Sequence, residues 1–206
     1  MLATRRHRTV APTRRIETQA HSGDRGVLMQ PVACWTADHA HISCHFAIRH
    51  QVFVEEQRIM VFTDVDAWDR HRDTHHVLAA SGNHMAGTVR LYATDDDGTW
   101  KGDRLAVLPA YRTSVVGARL VRYAVATAAE AGGKVMHATV QVPNTRFFER
   151  LGWQLDGPIA THYGLPHQPM RIDLPGSKTA ATKVPAEPEL HLPVSGSALS
   201  PLLTHV

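Results

Sequence analysis

Residues 104–131 restrict the fold more than any other segment. Arg104–Leu108 is an apolar run of strand character, Pro109 to Val116 is short and turn-rich, and residues 117–131 are rich in alanine. Leu120, Val121, Ala124, Val125 and Ala128 fall on one stripe at helical spacing, and Gly132-Gly133 ends the pattern. A strand, a tight loop and a helix start therefore follow one another directly. Such a junction offers unpaired backbone N–H groups at the positive end of a helix dipole, which suits an anion. Arg112 adds a fixed charge beside it. An ordinary strand-to-helix turn fits the same residues equally well.

The surrounding pattern predicts strands at 32–36, 76–80, 85–92, 104–108, 135–142, about 153–159 and 170–174. It predicts helices at 41–57, 117–131 and 144–151, the last capped by Asn144. The polar stretch 58–74 reads as a loop, and Ser81-Gly82-Asn83 as the turn between two strands. The order β-α-β-β-β-α-β-α-β-β implies one α/β domain on a mixed sheet over residues 29–174. Residues 1–28 and 175–206 lack periodicity and read as a disordered basic arm and a disordered Pro/Ser/Ala-rich tail. Met29 is an alternative start, since structural signals begin only after it.

The arm carries six arginines against Glu17 and Asp24, a net +4, so the chain's +3 leaves residues 29–206 at −1. That balance gives no basic face for nucleic acid. No apolar stretch approaches the ~20 residues needed to cross a bilayer. Two cysteines, Cys34 and Cys44, are too few for a disulfide framework and suit a reducing cytoplasm. Fifteen histidines, some near these cysteines, match no closed zinc spacing. Asp64, Asp66 and Asp69 lack the glycine and glutamate of a calcium loop. No metal is expected.

Two segments carry a family resemblance. Arg112-Thr113-Ser114-Val115-Val116-Gly117-Ala118 after a strand, and Asn144…Phe147-Phe148…Gly152-Trp153 between strands, resemble the pyrophosphate loop and later motif of the GNAT N-acetyltransferases. Arg49-His-Gln-Val-Phe-Val-Glu-Glu-Gln57 with Asp64-Val-Asp66, Gly87-Thr-Val-Arg90-Leu91 and Gly164-Leu-Pro-His167-Gln-Pro-Met170 resemble the ElaA-like branch, which is similar to acyl-homoserine-lactone synthases. A subgroup associated with bacterial nitrilase gene clusters is similar as well. The resemblance implies the GNAT fold, a mostly antiparallel mixed sheet flanked by helices, with acetyl-CoA or another acyl-CoA as donor and a small-molecule amine as acceptor. A homodimer is left open.

On that resemblance Leu105, Ala106 and Val107 lie along the acyl arm, where a bulge near 106–108 turns a backbone N–H toward the thioester. Residues 112–118, Asn144, Phe147 and Phe148 hold the remainder of the cofactor. Glu56 is the first candidate base and His167 the second, with His76 and His137 behind them. Asp64 and Asp66, with Arg90 and Gln141, form the acceptor side, the aspartates as an acidic wall for a cationic amine. Two departures stand out: Val115 replaces the loop's middle glycine, and Phe148 replaces the tyrosine that often protonates the departing thiolate. These departures favour, as an alternative, an acyl-CoA-binding module without catalysis. The synthase likeness offers transfer from a carrier protein as another, which would call for a basic docking patch that a net −1 over residues 29–206 does not advertise.

Overall fold

The computed structural model describes residues 30–95 and 97–176. The expected arm, Met29 and nearly all of the expected tail lie outside the described residues. Eight strands form one sheet, in spatial order β1-β2-β3-β4-β5-β8-β6, with β7 pairing β8. They are β1 Val32–Thr36, β2 Thr74–Ser81, β3 His84–Ala93, β4 Thr99–Val107, β5 Val135–Gln141, β6 Gln154–Leu155, β7 Ala160–His162 and β8 Leu165–Asp173. Only β4 and β5 pair in parallel, joined through the helix α2, Val116–Glu130.

β2 holds a run, Val77 to Ala80, with no exposure at all. Both sheet faces are covered there, so its residues are apolar without alternation. Val77 and Ala79 pack with Leu120, Ala124 and Ala128 of α2. Leu78 and Ala80 pack with Ile48, Val52 and Phe53 on the opposite face. Gly87 is required where the layers meet, because a Cβ there would lie 2.8 Å from the Ala106 carbonyl oxygen. α2 stops as its sequence predicts: Gly132 takes φ +85° and Gly133 donates to the Ala128 carbonyl at 2.8 Å.

The helix expected over 41–57 is one rod with two hydrogen-bonding patterns. α1, Ile42–Arg49, runs into a π-helical segment, His50–Glu56, closed by the Gln57 N–H on the Val52 carbonyl. Periodicity at 3.6 residues does not reveal that change. β4 begins at Thr99, five residues before its expected start, since Gly102 and Asp103 read locally as turn residues. β6 is only two residues long, and β7 was not foreseen. Asn144 holds the N-cap position of α3, Thr145–Glu149, but its side chain makes no capping bond. A 3-10 turn, Val142–Asn144, leads straight into the helix instead.

Two wholly buried arginines tie the loop 58–73 to the sheet. Arg49 donates to Asp64 at 2.5 Å and to both oxygens of Asp69 at 2.5 and 3.0 Å. Arg90 on β3 donates to both oxygens of Asp66, at 2.6 and 2.9 Å, and of Asp103, at 2.7 and 2.8 Å. Burial pushes the Asp69 carboxyl up, but hydrogen bonds from Arg49 and the Asp66 N–H outweigh it and hold the group well below its ordinary range. Removing either arginine would strand buried charges, at a cost of about 3–5 kcal/mol.

His45 completes this layer. Thr88 donates its hydroxyl to the Val77 carbonyl, so His45 Nδ1–H donates to Thr88 and Nε2 accepts from Arg49 at 2.8 Å. Burial, then the Arg49 charge, drives its pKa down to about 2. The imidazole is thus neutral when folded but binds a proton below about pH 6.5 when unfolded. Its contribution is complete above that pH and is lost as pH falls toward the folded value. Wild-type stability should fall between pH 6 and 5 by about 1.2 kcal/mol more than that of His45→Gln. Urea unfolding of both proteins at the two pH values measures this difference, and equal slopes would refute it.

Candidate functional site

The site begins with a defect in β4. Arg90 pairs with Asp103 and Thr88 with Ala106, so Arg104 and Leu105 together oppose the single residue Val89. This bulge lies at 104–105, two residues before its expected place, and Arg104 takes φ +52°. A left-handed arginine costs about 1–2 kcal/mol. Its guanidinium contacts the Asp64 carbonyl at 3.3 Å and Asp66 at 3.0 Å, which anchors it there. β4 and β5 pair only from Thr99–Val135 to Gly102–Ala138. Beyond that rung the two strands part.

A cavity of about 340 Å³ occupies the gap. Its walls come from both faces of the sheet. Val121 and Ala124 of α2, with Asn144, Phe148 and Trp153, line one side. Asp66, Trp68, Tyr92, Lys101 and Arg104 line the other. Leu105, Gln141 and His167 stand at the junction of the parted strands. A molecule in the gap would therefore be reached from two opposite faces.

Next to the gap, α2 begins at Val116, and Val116 N–H reaches Ser114 Oγ at 3.3 Å. Among the described residues the N–H groups of Gly117 and Ala118 have no acceptor. Val115 sits at φ −80°, ψ 0°, a conformation that requires no glycine, and its side chain is directed outward. The valine therefore leaves the loop's backbone course undisturbed. A Cβ on Gly117 would meet Phe147 at 3.4 Å and Val107 at 3.7 Å, ordinary van der Waals contact. Thr113 is exposed on the same loop.

Arg112 and Glu56 form a bidentate pair with both distances at 2.6 Å, and Arg112 Nε donates to the Val107 carbonyl at 3.0 Å. The guanidinium holds the Glu56 carboxyl below the usual carboxylate range. Glu56 does not line the cavity. His167 does. It is buried, and its Nδ1–H donates to the Leu165 carbonyl at 2.9 Å, which leaves Nε2 as the bare, basic nitrogen. Gln141, its neighbour across β5 and β8, donates to Gln57 at 3.1 Å across the parted strands.

The expected acidic wall is largely committed elsewhere. Asp64 is buried on Arg49, Arg90 is buried among carboxylates, and only Asp66 of the two aspartates reaches the cavity, already paired with Arg90 and Arg104. His76 is turned to His45 at 3.0 Å, and His137 pairs with Asp156 at 2.9 Å. Phe148 is buried edge-to-face against Trp153 at 5.4 Å. It presents no hydroxyl to the gap.

His45, Asp69 and His76 bring ligand atoms within 4.8 Å of one another, a grouping the sequence spacing does not reveal. An arginine nitrogen already bonds both His45 and Asp69 there, and a guanidinium excludes a cation from the same place. The donor set does not fit a metal. Sequence reasoning also missed Lys101, Trp68, Tyr92 and Tyr163. Period-two alternation puts Lys101 on the face of Asp103, but β4 was not expected to extend back through Gly102.

A model of the "Acetyltransferase (GNAT) family" matches residues 38–153. A curated Bacillus subtilis (strain 168) protein, provisionally given an acetyltransferase name, is 31% identical over 123 residues, covering 59% of this chain and 82% of its own. Escherichia coli ElaA superposes with a TM-score of 0.61 at 22% identity, over 69% of this chain and 99% of its own. The CoA-dependent acyl-homoserine lactone synthase BjaI, solved with SAM and isopentyl-CoA, superposes at 0.58 and 20% identity, over 71% and 84%. Because the family match spans more than half of the chain, this protein belongs to the GNAT acetyltransferase family.

Proposed function

We propose that the protein transfers an acyl group, most simply acetyl, from acyl-CoA to the primary amine of a small molecule. The observation that carries this reading is the gap between β4 and β5, which opens at the bulge and adjoins the free start of α2. Acyl transfer needs a neutral amine, a polarised carbonyl and routes for two protons. The Gly117 and Ala118 N–H groups, at the positive end of α2, receive the donor's pyrophosphate, with Thr113, Ser114 and Val115 along the loop. Glu56 fixes the Arg112 guanidinium against Val107, so its role is to position that charge at the loop.

The acyl arm passes between the strands beside Asn144, Phe147 and Phe148, along Leu105, Ala106 and Val107. The bulge backbone polarises the thioester carbonyl, since the extra residue's polar groups have no place in the β3 ladder. His167 Nε2 accepts the proton that the attacking amine loses, directly or through one water. The C–N bond forms, the C–S bond breaks, and the sulfur leaves as thiolate, a form accessible near neutral pH because ordinary thiols titrate near 8.5. Water protonates it, since Phe148 has no proton to give. A cytoplasmic setting accords with two free cysteines, and no described helix is long and apolar enough to cross a membrane. The buried Phe148 favours a second reading, in which the domain binds acyl-CoA without turnover.

Acetyl-CoA titration by calorimetry, paired with thiol release over an amine panel, separates the two. Gly117→Glu should weaken acetyl-CoA binding by about 100-fold, equivalent to ~2.7 kcal/mol, and unchanged affinity would remove the loop from the binding site. His167→Ala should lower kcat by about 10²–10⁴ while acetyl-CoA affinity holds. Unchanged kcat would exclude His167 as the base. Phe148→Tyr should raise the rate of thiol release. Binding with no release by either the wild type or Phe148→Tyr would establish the non-catalytic reading.

A further inference from the structure

On the acceptor side of the cavity the carboxylates that a plain cationic amine would need are already paired. Asp66 accepts two hydrogen bonds from Arg90 and one from Arg104, and Asp103 accepts two from Arg90 and one from the Tyr92 hydroxyl. Lys101, by contrast, has neither an ion-pair partner nor a hydrogen-bond partner among the described residues. It stands on a central strand, opposite Tyr92 on one side and His137 on the other, one residue before the last β4–β5 rung. The residue is partly buried and lines the cavity.

The charges lining the wall, Lys101 and Arg104 against Asp66 and Asp103, balance formally, but arginines already hold both aspartates, so Lys101 is the charge left without a partner there among the described residues. We infer that the acceptor is an amino acid, a primary amine that also carries a carboxylate, and that Lys101 receives that carboxylate. This rests on the acyltransferase reading above. From Lys101 to the bulge is about 10–13 Å of strand at ~3.3 Å per residue, the stretch of cavity wall along which the acceptor would lie. Trp68, stacked on Tyr92 at 4.1 Å, offers the acceptor's side chain an aromatic wall.

The test uses matched pairs, each an amino acid and the amine left when its carboxylate is removed, from glycine to phenylalanine and including ω-amino acids. Binding to the full-length protein saturated with CoA is read by calorimetry, and turnover with acetyl-CoA by thiol release. The amino acid of at least one pair should bind about tenfold more tightly and show the higher kcat/KM. Lys101→Met should bring that ratio close to one, through KM rather than kcat, and Lys101→Arg should restore it. Equal binding within every pair, or a ratio unmoved in Lys101→Met, would overturn the inference. Acetyl-CoA binding with turnover of the simple amines but no preference for carboxylates would overturn it while leaving the acyltransferase reading intact. Failure of acetyl-CoA to bind would remove that reading, and the same pairs offered to the unloaded protein would still decide whether Lys101 selects a carboxylate.

Discussion

The buried pairing of Arg49 and Arg90 with four aspartates sets the geometry of this domain. Asp64, Asp66 and Asp69 come from a loop with little apolar content of its own, and Asp103 comes from the strand that carries the bulge. Guanidinium forks fix direction as well as distance, so each pair orients a piece of backbone. Together they lay the loop 58–73 over one face of the sheet and bring Trp68 onto Tyr92. Arg104 extends the same network into the cavity. The contacts that organise the loop therefore also hold the bulged residue in its left-handed conformation.

A second tie joins the two faces of the gap. The π-helical segment ends at Glu56 and Gln57, and these neighbours reach to different sides. Glu56 grips Arg112 beside the start of α2, while Gln57 accepts from Gln141 at the end of β5. Wider turns change the phase at which a helix delivers its last side chains. The segment therefore links the loop that would carry the donor's phosphates to the wall that would face the acceptor.

Much of the fold was legible in the chain. The apolar stripe of α2, its glycine stop, the turn at Gly82 and the apolar runs of strands 2 and 3 each follow from local rules, and all are present. The site was legible mainly through motif resemblance, because the groups that would act on a thioester are backbone N–H groups, and no residue type announces them. Glu56 and Asp64 illustrate the limit. A carboxylate in a signature reads as a base or as an acidic wall, yet the partners that neutralise these two lie 56 and 15 residues away in sequence.

By itself the sequence determined the order of elements as far as α3, the strand–loop–helix junction at 104–118 and the absence of a glycine at Val115, since each depends on periodicity or on one residue's conformational range. Tertiary structure alone decided where β4 bulges, where β4 and β5 part, which tautomer His167 adopts and that Lys101 stands without a counter-ion among the described residues. Those outcomes depend on hydrogen-bond and charge partners from distant segments, and only folding brings the partners together.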